Sequence, residues 1–202
     1  VHTTVATQGV TATSSSKLYS VGEGTDDTTW LVNLKGLWNV LECAREEGVG
    51  MVVHIGSCHH SWPGTGSHLP PATAAPGSVF MDANARRPDG GLYATQKRMQ
   101  EEMCRQQWEA HGLKTVVLRP DYIVDMELKI GRHREPLDTT QVMPAGNVCR
   151  NDIATACVQA IERRDTIGFE ILHVVNTGAD QRTKCNVSRT ESLLGVRFRS
   201  AL

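Results

Sequence analysis

Three short apolar runs, MVVHI (51–55), KTVVL (114–118) and FEILHVV (169–175), alternate with stretches of helical periodicity, and this alternation limits the possible folds. Between about Thr28 and Glu47, the residues Leu31, Leu34, Leu37, Trp38, Leu41 and Ala44 recur at the spacing of one buried helix face, and Gly48 suits the position after the last turn. A second helix is expected from Leu92 to His111, stopped by Gly112. A third covers Asp152 to Arg163, and a short one around Val187 to Leu194 is stopped by Gly195. KLYSVG at 17–22 reads as a further strand. Runs that are apolar throughout fit strands covered on both faces of a parallel sheet, and Arg119-Pro120 is expected to close the second because proline lacks a ladder donor. The pattern predicts an α/β domain with right-handed crossovers. In such sheets the ligand crevice lies beyond the carboxyl ends of the strands, where Ser57, Pro120 and Asn176 fall.

The 202 residues suit a single domain, read here as 18–202 after a weakly structured lead-in at 1–17. Two segments interrupt the alternation. Residues 58–92 are rich in Pro, Gly, Ser and Ala, and 121–148 are irregular; connections of such length are usually functional. With 21 Lys plus Arg against 22 Asp plus Glu, no charge excess suggests a nucleic-acid or membrane partner. The cysteines at 43, 58, 104, 149, 157 and 185 lack the paired short spacings of zinc knuckles, so reduced thiols and a cytoplasmic setting are expected. No apolar run approaches the ~20 residues that span a bilayer, and the first residues lack the order of a secretory signal.

The stretch GGLYATQK (90–97) sets Tyr93 and Lys97 four residues apart at the start of a helix, on one face. A free phenol titrates near 10, and bringing it to neutrality needs about 4 kcal/mol of preference for the phenolate. A lysine cation in a partly desolvated cleft supplies much of that, and such a tyrosine acts as acid or base on a substrate oxygen. Taken alone, the spacing is a weak signal. Ser57 strengthens it, because VVHIGS ends a buried strand one long loop before the tyrosine helix.

These segments in this order, VNLKGLWNVLECAREEGV (32–49), VVHIGS (52–57), YATQK (93–97), VVLRP (116–120) and NDIATACVQAIE (151–162), resemble the extended short-chain dehydrogenase/reductases. The similarity is to their NAD-dependent epimerase/dehydratase group, over about residues 18–198, and LYSVGEG followed by WLVN looks like its uronate-dehydrogenase-like members. The resemblance implies an incomplete Rossmann-like, doubly wound, mostly parallel sheet with a small C-terminal substrate region. It further implies an oxidoreductase or epimerase using NAD or NADP on a hydroxyl carbon of a sugar, sugar acid or nucleotide sugar. By that resemblance Tyr93 would take the hydroxyl proton, Lys97 would lower the tyrosine pKa and bond the nicotinamide ribose, and Ser57 would orient the substrate oxygen. Asn33, Pro120, Asp121 and Ile123 match positions that line the cofactor site, and by the resemblance the tyrosine helix would contribute to a homodimer interface; its Met99, Met103, Trp108 series reads from the residues as packing against the sheet or a partner helix.

The family's glycine-rich turn, which receives the pyrophosphate at a helix N-terminus, is not matched: Gly22-Glu23-Gly24 has no third glycine at the needed spacing. Two expectations follow: a fragment of an active enzyme, or a degenerate relative acting as a cofactor-free binding module. Cys58, His59, His60 and His68 share a loop but fit no standard zinc pattern, so no metal is assigned. His54 and His173 read as core histidines, and Arg86-Arg87 as loop residues able to meet an anionic group.

Overall fold

The computed structural model describes residues 29–58, 91–131, 134–137, 147–176 and 187–198. Its main sheet has three parallel strands in the order β1 (Val52–Ile55), β2 (Thr115–Pro120), β5 (Phe169–Val174). Strand β2 lies at the centre and is buried at every position, as a strand flanked on both edges and both faces must be. Successive residues of β2 serve opposite faces. Val117 packs with Leu37, Leu41 and Ala44 of helix α1 (Gly36–Glu46), with Cys104 of α2 (Gly91–His111) and with Leu113. Val116 and Leu118 pack on the other side with Ile153, Ala156, Cys157 and Ala160 of α3 (Arg150–Glu162) and Leu194 of α4 (Ser188–Leu194). The doubly wound, parallel α/β arrangement expected from the sequence is therefore present.

Helix ends obey the glycine signals: Gly48, Gly112 and Gly195 have φ of +66°, +73° and +66°, the left-handed conformation that ends a helix cheaply in glycine. Near the far end of α2, Trp108 lies against Gly168, where an added Cβ would come within 2.5 Å of the indole. Both His54 and His173 are buried, as core histidines should be.

Several expectations need correction. Strand β2 does not stop before Arg119-Pro120 but includes both, since a last strand residue needs only its carbonyl, and Pro120 O accepts from Cys58 N at 2.9 Å. The region 121–148 is not wholly irregular: β3 (Tyr122–Val124) and β4 (Asn147–Cys149) pair in parallel as a second, two-stranded sheet. The first helix opens with a π-turn at Leu31–Lys35, in which Gly36 N–H donates to Leu31 O. Met99 stands 42% exposed, whereas Met103 packs on the α1-side core. The lead-in, the strand expected at 17–22 and all of 59–90 lie outside the described residues.

Candidate active site

Backbone amides of Val52, Gly56 and Cys58 donate to carbonyls of Lys114, Leu118 and Pro120 at 2.9, 2.7 and 2.9 Å, so alternate residues of β1 face β2. Ile55 therefore directs its carbonyl to the opposite edge. Lys97 reaches it from α2, its Nζ donating to Ile55 O at 2.9 Å. One turn earlier lies Tyr93, half-buried, its ring centroid 6.0 Å from Lys97 Nζ. Ser57, 8% exposed, is two residues beyond Ile55 on the same extended strand end. The three residues proposed from the sequence as catalytic thus come from the first turns of α2 and the end of β1, which Lys97 ties together.

Lys97 is only 6% exposed. Burial penalises its ammonium and pushes it down to about 8, while the neighbouring Glu101 carboxylate pulls it back up. Glu101 is itself held by Arg119, with Nε to Oε1 at 2.8 Å and a terminal guanidinium nitrogen to Oε2 at 2.6 Å. Gly56 is required where it passes this pair, because a Cβ there would lie 2.9 Å from Val117 Cγ1 and 3.1 Å from Glu101 Oε1.

Among the cofactor-lining candidates, Asn33 is 4% exposed and occupies the middle of the π-turn. Its Nδ2 donates to Gln96 Oε1 at 2.9 Å, and its backbone carbonyl accepts from Gln100 Nε2 at 2.7 Å. Asn33 is thereby fixed beside the residue that precedes Lys97. Pro120 ends β2 next to Cys58, and Asp121 follows, half-buried. Ile123 instead sits on β3, paired with Val148 and 41% exposed, on the smaller sheet. Cys58 is buried, and its thiol donates to Arg119 O at 2.9 Å. His59, His60, His68 and Arg86-Arg87 lie outside the described residues, and among the described residues no cluster of three metal-ligating side chains occurs.

Gln96, Gln100, Glu101 and Arg119 escaped the sequence reading. All four are buried, yet glutamine and glutamate on a helix read as solvent-facing. For the three helix residues the available signal was phase: Gln96, Gln100 and Glu101 fall at, or next to, the spacing of Lys97 and Cys104 on the inward side of α2.

Comparison with known proteins finds the same fold in solved structures. The structure is similar to UDP-glucose 4-epimerase from Brucella ovis in complex with NAD (TM-score 0.63, 13% identity, covering 88% of this chain and 69% of that one). It is also similar to UDP-glucuronic acid 4-epimerase from Bacillus cereus in complex with NAD (0.58, 17%, 88% and 66%). A third is glucuronic acid dehydrogenase from Chromohalobacter salexigens (0.61, 17%, 86% and 56%). The chain thus spans between about half and 70% of the length of such structures. No curated protein sequence matches. Residues 10–145, about two thirds of the 202, match the NAD dependent epimerase/dehydratase family, and the chain is a member of that family.

Proposed function

We propose that this chain carries the acid/base half of an NAD- or NADP-dependent oxidoreductase or epimerase. Its substrate is a hydroxyl carbon of a sugar, sugar acid or nucleotide sugar. The observation that carries this reading is the bond from Lys97 Nζ to Ile55 O, which seats the Tyr93 turn against the strand end that leads to Ser57. Sugar-type neighbours support the substrate class, since they include epimerases and dehydrogenases of uronic acids and UDP-sugars.

The residues present fit the nicotinamide ribose. A lysine ammonium has three N–H donors, Ile55 O takes one, and the donor set suits ribose hydroxyls. When bound, the nicotinamide supplies the hydride acceptor. Tyr93 takes the proton from the substrate hydroxyl and returns it in the reverse direction. Lys97 favours the phenolate by its charge, which counts for more in a desolvated seat than in water. Ser57 donates a hydrogen bond to the same substrate oxygen. Asn33, Pro120, Asp121 and Ile123 line the cofactor in this reading, and α2 contributes to a homodimer.

Titration with NADH and NADPH, followed by the fluorescence of Trp38 and Trp108, tests the reading directly. Saturable change is expected. No response at about millimolar cofactor, the upper end of ordinary working concentrations, would end the reading for this chain in favour of a cofactor-free binding module.

A further inference from the structure

The Glu101–Arg119 ion pair is bidentate and nearly inaccessible, with side chains 5% and 3% exposed. Pairs this deeply buried are seldom more stabilising than apolar side chains of the same volume, so stability is a poor account of it. Its contacts point elsewhere. Glu101 lies one helical turn beyond Lys97 on α2. Its Oε1 lies close enough to Gly56, the residue before Ser57, that a Cβ there would be 3.1 Å away. Arg119 is the penultimate residue of β2, its carbonyl accepts from Cys58 Sγ, and the next carbonyl, of Pro120, accepts from Cys58 N. One ion pair therefore joins the helix of Lys97 to the strand ends of Ser57 and Pro120.

We propose that Glu101, held by Arg119, is a positioning residue of the site: its carboxylate keeps Lys97 charged in a buried seat and locks the Tyr93–Lys97 helix to the ends of β1 and β2. The role given to Lys97 rests on the acid/base reading above; the charge relationship itself does not. Facing Lys97 along α2 are Tyr93, Glu101 and Cys104. From β1 come the Ile55 carbonyl and, on the α2 side by alternation with Val52, the buried His54; from β2 comes Arg119, through Glu101. Glu101 is the carboxylate in this set, and it acts against the burial that depresses the ammonium.

The two partners then have opposite effects. Neutralising Glu101 leaves two cations in one dry region, and Lys97 sheds its proton more readily. Neutralising Arg119 releases Glu101 from its shared bond, and Lys97 holds its proton more firmly. A merely structural strut would give no such opposition.

Lysine labelled with 13C at Cε, with the Lys97 signal assigned by Lys97→Arg, reports this charge by NMR without any turnover. In the unmodified chain Lys97 is expected to titrate near 8. Glu101→Gln is expected to lower that midpoint by about one unit or more, and Arg119→Met to raise it. Shifts in the same direction, or none, overturn the proposal. If Glu101→Gln does not fold, the unmodified chain and Arg119→Met decide: Lys97 titrating at the ordinary lysine value, or falling in Arg119→Met, overturns it. Failure of NADH and NADPH to bind would remove the enzymatic reading and leave this titration result intact.

Discussion

Gln100 Nε2 donates to the backbone carbonyl of Asn33 across 2.7 Å, inserting a side chain of α2 into the π-turn that opens the first helix. Such turns widen the helix ladder and let a side chain enter it, and they occur often at functional sites. Because both groups are buried, Gln100→Ala leaves the carbonyl without this donor. The expected loss is about 1–3 kcal/mol, read by urea denaturation. A loss below a few tenths would show that the clamp is dispensable.

Tyr93→Phe removes only the hydroxyl from a half-buried ring. Turnover, followed by NADH absorbance over a panel of uronic acids and UDP-sugars, should fall by about 10²–10⁴-fold. Cofactor affinity should stay nearly unchanged. Retained turnover would dismiss Tyr93 as the acid/base.

Lys97 also predicts a pH dependence of stability. An unfolded lysine titrates at 10.5 and the folded one at about 8, so between those values the unfolded chain binds more protons and stability rises with pH. Cys104 runs the other way, its buried thiol pushed from 9.0 up to about 12, so its contribution declines once the pH passes 9.0. The clean window is therefore about pH 7.5 to 9, where a gain of roughly 1 kcal/mol is expected from Lys97. Lys97→Met should flatten that rise and weaken cofactor binding; an unchanged slope would contradict the burial argument.

Gly56→Ala should cost about 1–3 kcal/mol, because the branched Val117 and the clamped Glu101 leave its Cβ no room. Gly36→Ala is the matched control. Its nearest neighbour would be Leu31 O at 3.7 Å, an ordinary contact on helical backbone, and a gain of about 0.5–1 kcal/mol is expected. Thermal melts of the two variants should move in opposite directions.

The main sheet was legible because MVVHI, KTVVL and FEILHVV are short, mostly apolar runs set between helical stretches, and Tyr93 with Lys97 because helical spacing puts them on one face. The smaller sheet was not. Its strands have three residues each, and Tyr122 and Ile123 are exposed, so no alternation marks them. The polar inner face of α2 was hidden for a different reason: Gln96, Gln100 and Glu101 belong there through partners on α1's π-turn and on β2, which local sequence does not encode.

Ile55 directs its carbonyl away from β2, toward the edge of β1 that has no partner strand among the described residues, and Lys97 occupies that carbonyl. A strand added along this edge would meet the Lys97 side chain at Ile55, whose carbonyl already has a donor. The ammonium thus works as a wedge at the sheet's rim. It stands at the level where the crevice of such sheets opens, so the lysine proposed to serve the proton transfer also marks the rim of the proposed cleft.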